Sequence, residues 1–504
     1  MPYPPRRTSQ ITVITTSIQI LTMALLLVFG LSCEASIQKA TDQASKQPKK
    51  AVSSTNNALK VGAAFRISET STFLANRAAG AVDIAFNSDD NEYLVIWEST
   101  GLTELQAVND IYGRRLNGAT NEPIGINFRI SMLSDSDKNH SSNAPKVIYN
   151  KTAGEYLVVW HGSGLFDSPE KFFEIYGQRL SRTGKAIGSS FRISYTTDLG
   201  KVSSSFVRSS SQADVAWNSA NNEYLVIWKG IGEPEDVVKM EIYGQRLKAN
   251  GELLGKYFRI SHTTNQGNNF HANAPEIAYN SRDNQYLVVW SGTFKNESQA
   301  EILGMGLSAT GKPLAPTNDL RISQVTDVGA NRAASSSHVV YNGANNEYFV
   351  VFQANALRGE GNAGVYEIFG QRIDAAALAE IGANDFRVSN SVESGNSAGE
   401  PAIAFNSVAT ENLVIWQSIR QNGKSEIYGQ RISSGGTEIE TDFQISNISS
   451  VGSDRSVNNS SLAHNTATGQ FLIVWQGNGL PAADAAKITE IFGQGLTLAR
   501  SHGQ

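Results

Sequence analysis

Residues 276–290 read Glu-Ile-Ala-Tyr-Asn-Ser-Arg-Asp-Asn-Gln-Tyr-Leu-Val-Val-Trp, which predicts two β-strands joined by a tight turn. The second strand runs from Tyr286 to Trp290, and all five of its residues are aliphatic or aromatic. Side chains alternate between the two faces of a strand, so both faces of this one are apolar. A strand of this kind must be covered on both sides. The stretch therefore predicts a sheet that packs between two neighbouring layers.

The same pattern recurs along the chain with a period of about 62 residues. Three further segments recur with it: an Ala-Tyr-Asn type, an Ile-Tyr-Gly-Gln-Arg type and a Phe-Arg-Ile-Ser type. Seven copies of the apolar run end at Trp97, Trp160, Trp228, Trp290, Phe352, Trp416 and Trp475. Four short strands in each of seven repeats predict an all-β fold, a seven-bladed β-propeller with four antiparallel strands per blade.

The lengths of the connections predict the order of the strands within a blade. Short turns join the Ala-Tyr-Asn segment to the apolar run, and the Ile-Tyr-Gly-Gln-Arg segment to Phe-Arg-Ile-Ser. The link onward to the next Ala-Tyr-Asn segment is long, which suits a crossover from an outermost strand to the innermost strand of the next blade. The first Phe-Arg-Ile-Ser copy, residues 65–68, precedes every other segment, and the last repeat lacks one. We therefore expect residues 65–68 to complete the C-terminal blade and close the ring.

The N-terminal segment has the features of a secretory signal. Arg6 and Arg7 precede an apolar stretch that ends just before Cys33, the chain's one cysteine. Residues 29–33, Phe-Gly-Leu-Ser-Cys, resemble a bacterial lipobox, which implies cleavage before Cys33 and lipidation of that residue. We expect a lipoprotein signal peptide at 1–32, a flexible linker at 33–60, the propeller at 61–499 and a tail at 500–504. This organisation predicts a protein of the bacterial cell envelope, on the extracytoplasmic side and anchored to a membrane, or alternatively a secreted one.

Composition excludes some classes of partner. The formal net charge is −5 and the chain has no basic cluster, so nucleic acid is not an expected ligand. A single cysteine excludes disulfides within one chain and a cysteine-rich metal site. No His-Glu-x-x-His motif or Walker-type phosphate loop is present, and the seven histidines are scattered. We expect no metal and no cofactor, and we expect a monomer.

Residues common to every repeat are expected to build the scaffold, so function is more plausibly carried by the variable loops. The long connections emerge on one face of the predicted propeller. The candidate binding residues on this face are acidic, aromatic or histidine side chains, namely Asp135, Asp137, His140, Phe166, Phe172, Phe173, Glu233, Glu235, Asp236, Phe270 and His271. No catalytic residue is identified from the sequence. A pair of carboxylates across the central channel is an alternative catalytic arrangement, because residues that are neighbours in a propeller are distant in sequence.

The pattern Val-Val-Trp, then Ile-Tyr-Gly-Gln-Arg, then Phe-Arg-Ile-Ser resembles tandem repeats of bacterial secreted and surface proteins. The resemblance covers about residues 61–496. It implies propeller blades and an extracytoplasmic setting. It transfers no catalytic residue.

The first functional hypothesis is an anchored scaffold that binds a protein or a glycan through its long-loop face. The alternative is a hydrolase or lyase that acts on an extracellular polymer at the channel mouth, and a purely structural envelope component is a third possibility. Carboxylates that converge at the channel mouth, or a histidine beside a carboxylate, would favour the enzyme.

Overall fold

The computed structural model of the protein describes most of the repeat region. The described residues are 58–69, 78–100, 109–131, 141–163, 172–199, 208–231, 240–263, 271–293, 299–314, 318–328, 332–355, 365–391, 396–419, 424–447, 456–478 and 489–498. Residues 57–504 form one compact unit. Within the described part, no helix is long and apolar enough to cross a membrane.

The described residues form seven four-stranded antiparallel sheets, which are the blades of a β-propeller. The innermost strands carry the Ala-Tyr-Asn segments and are β2 (Ala79–Asn87), β6 (Ser142–Asn150), β10 (Ser210–Asn218), β14 (Asn273–Asn280), β18 (Ala334–Asn342), β22 (Ser397–Asn406) and β26 (Val457–His464). The second strands carry the apolar runs and are β3 (Glu92–Thr100), β7 (Glu155–Gly162), β11 (Glu223–Gly230), β15 (Gln285–Thr293), β19 (Glu347–Ala354), β23 (Glu411–Ile419) and β27 (Gln470–Asn478).

The two outer strands of each blade follow in the predicted order. The third strands are β4 (Asn109–Asn117), β8 (Glu174–Ser181), β12 (Glu241–Lys248), β16 (Ala300–Ser308), β20 (Glu367–Asp374), β24 (Ser425–Ser433) and β28 (Thr489–Leu498). The outermost strands are β1 (Ala58–Arg66), β5 (Pro123–Arg129), β9 (Ala186–Arg192), β13 (Leu253–Arg259), β17 (Leu320–Arg321), β21 (Ala379–Arg387) and β25 (Glu438–Gln444). Two short 3₁₀ turns, Thr197–Leu199 and Val325–Val328, follow β9 and β17.

We number the blades 1 to 7 from β2 onward, so that blade 7 contains β26, β27 and β28. The fourth strand of blade 7 is β1, which pairs antiparallel with β28, for example Phe65 with Gly493. The expected closure of the ring by the N-terminal strand is therefore confirmed. Strands more than 400 residues apart thus complete one sheet, and the third strand of blade 7 is paired along its outer edge like those of the other blades.

The apolar runs of the second strands pack between blades, as their two apolar faces predict. Trp97, Trp160 and Trp228 are fully buried. The hydrophobic clusters join neighbouring blades, for example Val159 of blade 2 with Trp228 of blade 3. Burial of large aromatic side chains between the sheets is the main apolar contribution to stability of the ring.

The glycine of each third strand allows the outermost strand to pack closely. A Cβ on Gly177 would lie 2.9 Å from Phe191 Cζ and 3.0 Å from Ile193 Cδ1. Both of these side chains belong to the Phe-Arg-Ile-Ser segment of the same blade. Glycine at this position therefore permits close packing of the third and outermost strands.

The polar residues of the Phe-Arg-Ile-Ser segment hold the acidic residue that opens the third strand. In blade 2, Arg192 lies 2.6 Å from Glu174 and Ser194 donates a hydrogen bond to the same carboxylate. These carboxylates are buried. Burial follows from the chain turning over the carboxylate, because Thr197 also donates to it through its backbone N–H.

Candidate functional site

The central channel contains a cavity of about 320 Å³ that is lined by residues of the innermost strands of all seven blades. Its volume lies at the small end of the range of roughly 300–1,000 Å³ that is usual for small-molecule sites. The innermost strands begin after the long connections and end at the short turns. The lining residues occupy the first half of each strand, so the cavity lies nearer to the long-loop face.

A β-bulge in each innermost strand shapes the wall of this cavity. In β10, Ser211 pairs with Lys229 and Asp214 pairs with Ile227, so two residues of β10 lie opposite Trp228. The bulged residue Gln212 has a φ of 53°, in the left-handed region. A bulge of this kind re-aims the side chains that follow it.

Two residues beyond the bulge, one side chain from each blade faces the channel. Each of these residues pairs with the residue just before the terminal aromatic of the second strand. We call this set the inner ring, and it consists of Asp83, Lys146, Asp214, Glu276, His338, Ala402 and Ser461. Six of the seven line the cavity, and the buried Asp214 follows the lining residue Ala213. Blades 1 to 5 thus contribute an ionisable group, whereas blades 6 and 7 contribute a methyl group and a hydroxyl group.

Glu276 is at the centre of the charged half of the inner ring. Lys146 Nζ lies 2.9 Å from Glu276 Oε1 and donates a hydrogen bond to it. This contact passes in front of blade 3, because the two residues belong to blades 2 and 4. The other carboxylate oxygen, Oε2, lies 3.7 Å from His338 Nε2 of blade 5.

The two aspartates of the inner ring accept hydrogen bonds from the backbone of the next blade. Asp83 Oδ2 accepts from the N–H of Val147 at 2.8 Å, and Asp214 Oδ2 accepts from the N–H of Ile277 at 2.9 Å. Ser461 Oγ donates to the second oxygen of Asp83 at 2.9 Å. These contacts fix both carboxylates beside the channel and also join neighbouring blades.

The surroundings of the inner ring change the proton affinities of its members. Burial raises the pKa of Asp214 to about 7, and the charge of Glu276 contributes to the increase. Burial also raises the pKa of Asp83. Burial and the nearby Lys146 ammonium lower the pKa of His338 to about 4. Burial opposes the charge on Lys146, but the carboxylates of Glu276, Asp214 and Asp83 outweigh it and raise the pKa of that ammonium.

Several polar atoms around the cavity lack hydrogen-bond partners among the described residues. They are Ser337 Oγ, Ser460 Oγ and His338 Nδ1. Ser337 is only 6% exposed. Buried polar groups normally have a partner, so unpartnered atoms beside a cavity indicate that it receives a polar ligand or water. Within the described ranges, no cluster of His, Cys, Asp and Glu side chains has the arrangement of a metal site.

Only three of the candidate residues from the loops are among the described residues. Asp135, Asp137, His140, Phe166, Glu233, Glu235, Asp236 and Phe270 lie outside the described residues, and their assignment stays a prediction. Phe172, Phe173 and His271 are described, and none of them lines the cavity.

Phe173 instead contacts the end of the second strand of blade 2, and His271 contacts the residue before the third strand of blade 3. The ring of Phe173 packs edge-on against the ring of His161, and the centroids are 5.2 Å apart. His271 Nδ1 accepts a hydrogen bond from the N–H of Met240. Their described contacts are therefore structural.

The sequence did contain a signal for the inner ring. Each ring residue stands four positions before the residue that ends the Ala-Tyr-Asn segment, as Asp214 does before Asn218 and Glu276 before Asn280. In an alignment of the seven repeats, this column is ionisable in five copies and differs in nearly all of them. A scaffold position has a reason to be the same in every blade, so a position this variable and this polar inside a channel points to function.

Comparisons with known proteins give limited information about this site. No family model matches the chain, and no curated protein matches it. Among solved structures, an endo-arabinase from Bacteroides thetaiotaomicron is 13% identical and matches with a TM-score of 0.34 over 58% of this chain and 94% of its own.

Two further solved structures match over more of the chain. An α-L-arabinanase from Penicillium chrysogenum in complex with arabinobiose is 11% identical, with a TM-score of 0.41, over 73% of this chain and 98% of its own. The β-propeller domain of the Trilobed protease from Pyrococcus furiosus is 9% identical, with a TM-score of 0.43, over 84% of this chain and 94% of its own. Likeness at this level carries no information about what the present propeller binds.

Proposed function

We propose that this protein is an extracytoplasmic, lipid-anchored propeller that binds the terminal sugar of a glycan in its central channel. The observation that carries the proposal is the inner ring. Five blades each place an ionisable side chain at the same position, and four of the five line one cavity. The scaffold does not need this variation, because the blades with Ala402 and Ser461 fold with the same pairing.

The chemistry of the cavity suits a ligand that is rich in hydroxyl groups. The carboxylates of Asp83, Glu276 and Glu400 line the cavity and are strong hydrogen-bond acceptors for sugar hydroxyls. Ser337 and Ser460 add unpartnered hydroxyls, which can donate or accept. The small volume fits one or two sugar units and not a folded protein, so a glycan is favoured over a protein ligand at this site.

The membrane anchor rests on the sequence around Cys33. Lipidation of this residue would hold the propeller at a membrane through acyl chains, with the linker of residues 34–60 as a tether. Metabolic labelling with a radioactive fatty acid tests the anchor. Label should appear on the protein and disappear in the Cys33→Ser variant, and a protein that never incorporates label contradicts the anchor.

Binding is tested with the full-length protein in detergent on an array of bacterial and plant glycans. The informative variants are Asp214→Asn and Glu276→Gln, which alter the inner ring with little change in size. A suitable control is Glu252→Gln, which makes the same change in charge on an exposed turn of blade 3. The proposal expects a bound glycan whose affinity falls at least about tenfold in the ring variants only. Binding that both ring variants leave intact would refute the channel as the site.

A second candidate function is hydrolysis of the bound glycan, and the surroundings of Asp83 favour it. Asp83 lines the cavity, and burial raises the pKa of its carboxyl group, which suits a general acid. Glu276 would supply the second carboxylate. Release of reducing sugar from the bound glycan, lost in Asp83→Asn, would establish the enzyme. Binding without any turnover over days would leave the first proposal.

A further inference from the structure

We propose that the sugar held in the channel carries a free, protonated amino group, which makes the ligand an amino sugar and not a neutral or an acidic one. This inference rests on the proposed function and adds the chemical class of the ligand. It is argued from the charges of the inner ring, the space beside them and the unpartnered polar atoms of the cavity.

The charges that face the cavity do not balance. Asp83 and Glu276 are carboxyl groups of the lining, and Lys146 is the one cationic side chain of the inner ring at neutral pH. His338 does not compensate, because its pKa is lowered to about 4. Glu400 also lines the cavity and adds a third carboxyl group. A protonated amine would offset this excess of negative charge, whereas a second carboxylate would add to it.

The smaller inner-ring side chains leave space for an ammonium group beside blades 6 and 7. These blades contribute Ala402 and Ser461, whose side chains are much smaller than those of the other five blades. A ligand that enters there lies near two carboxyl groups, because Ser461 is hydrogen-bonded to Asp83 and blade 6 contributes Glu400 to the lining.

The wall of the cavity also contains hydroxyl groups that lack partners among the described residues. The hydroxyl of Ser337 is buried in the wall of the cavity and has no hydrogen-bond partner within the described residues. Ser337 immediately precedes His338, and Ser460 immediately precedes Ser461, so both unpartnered hydroxyls flank the ring. An amino sugar presents an ammonium group and neighbouring hydroxyls together, which fits carboxylates and serine hydroxyls that lie side by side.

An amine would also change the protonation of the ring, and this change distinguishes it from a neutral sugar. The pKa of Asp214 is about 7, so most of this group is protonated at pH 6. A nearby ammonium stabilises the ionised form and releases the proton. Lys146 keeps its proton because its pKa is raised, and His338 is already neutral. Asp83, whose pKa is also raised, is the other group that can release a proton.

The experiment is calorimetric titration of the full-length protein in detergent at pH 6. The three probes are a glucosamine trisaccharide, its fully N-acetylated counterpart and the corresponding glucose trisaccharide. Each titration is repeated in two buffers with different ionisation enthalpies, which gives the number of protons released. We expect the free amine to bind at least about tenfold more tightly than the other two, with net proton release.

The Asp214→Asn variant should lose most of this preference and release fewer protons, and the exposed control Glu252→Gln should retain both. Comparison of the three probes on the unaltered protein needs no variant, so the test stands even if Asp214→Asn folds poorly. Equal or tighter binding of the N-acetylated or glucose probe would overturn the amino-sugar inference while supporting glycan binding. If none of the three binds but another glycan does, only the further inference fails, and if no glycan binds on the array either, both fail.

Discussion

Lys146 Nζ lies 2.9 Å from Glu276 Oε1, although the two residues are 130 positions apart and belong to blades that are not adjacent. This pair and the two inner-ring aspartates form one electrostatic network, since the charges of Glu276, Asp214 and Asp83 all raise the pKa of Lys146. The network connects blades 1 to 4 through the channel. Its members should therefore affect the stability of the ring as well as any ligand.

The first prediction concerns loss of the ammonium group. Lys146→Met keeps the length of the side chain but leaves three carboxyl groups without their cation. Removing one partner of a buried pair costs about 3–5 kcal/mol, and the partial exposure of Lys146 reduces this to about 1–3 kcal/mol at pH 8. The cost should be smaller at pH 5, because protonated Asp214 no longer needs the cation.

Urea unfolding at pH 5 and pH 8 measures this difference. Lys248→Met is the matched control, because Lys248 pairs with Glu252 on an exposed turn. That variant should have little effect at either pH. An equal cost of Lys146→Met at both pH values would contradict the proposed network.

The second prediction follows from the raised pKa of Asp214. The folded protein binds this proton up to a pKa of about 7, whereas an unfolded aspartate loses it near 3.9. Between these values the folded state holds more protons, so the contribution of Asp214 to the free energy of unfolding falls as the pH rises. Asp214→Asn cannot ionise and still accepts from the N–H of Ile277. Relative to the unaltered protein, it should therefore gain of the order of 2–4 kcal/mol between pH 4.5 and pH 8.

The measurement is the difference in the free energy of unfolding between the variant and the unaltered protein at several pH values. Comparing differences is necessary because buried histidines act in the opposite sense. Burial lowers the pKa of His161, His338 and His464 to about 4, and these groups stabilise the fold as the pH rises toward 6.5. A difference that stays constant with pH would show that Asp214 has an ordinary proton affinity.

The fold could be predicted from the sequence because its causes are repeated. The apolar run ending at Trp290 has seven copies, and two apolar faces on one strand require a sheet on each side. The copy count then gives the number of blades, and the unmatched segment at 65–68 gives the closure. Each of these signals is local, and repetition makes it stronger.

The site could not be predicted in the same way because its residues share a position in the repeat but not a residue type. Lys146, Asp214 and Glu276 come together only after the blades close into a ring, and each stands alone in its own repeat. The consensus sequence of the repeats does not contain these three residues, because their position varies from one repeat to the next. Asp135 and Asp137 of the long loops are close together in sequence, whereas the channel residues are separated by a full repeat.

The third prediction concerns closure of the ring in solution. Ser68 Oγ donates to the Glu490 carboxylate and accepts from the N–H of Ile491 at 2.8 Å, which ties the end of the N-terminal segment to blade 7. Ser131 makes the corresponding contacts with Asp110 and Ile111 inside blade 1. Ser68→Ala and Ser131→Ala each leave buried polar groups without a partner, at a cost of about 1–3 kcal/mol.

Thermal or urea unfolding of the two variants compares the closure with an ordinary blade. Similar losses for Ser68→Ala and Ser131→Ala are expected if the N-terminal strand is part of the folded ring. Deletion of residues 61–70 should also lower Tm markedly, whereas deletion of residues 34–57 should not. A normal cost for Ser131→Ala together with none for Ser68→Ala would mean that the closure does not contribute to stability.

The last prediction concerns a hydrogen bond that joins blades at the short-turn face. Asn218 Nδ2 of blade 3 donates to Asn284 Oδ1 of blade 4 at 2.8 Å. Asn284 has a φ of 53°, a left-handed conformation that asparagine tolerates better than most residues. Asn284→Gly should keep this conformation and lose this bond together with those to Tyr279 and Asn221, at a cost of about 1–2 kcal/mol.

The corresponding position in blade 2 is Gly154, which has a φ of 66° and no side chain to accept from Asn87 of blade 1. A Cβ at Gly154 would meet only side-chain atoms of Arg182, at 3.6 Å or more, so an asparagine has room there. Gly154→Asn should therefore add the missing bond and raise the free energy of unfolding by about 0.5–1 kcal/mol. Loss in Asn284→Gly and gain in Gly154→Asn would together attribute the effect to the amide and not to backbone freedom. Destabilisation by both substitutions would show that the hydrogen bond between blades does not add to the stability of the fold.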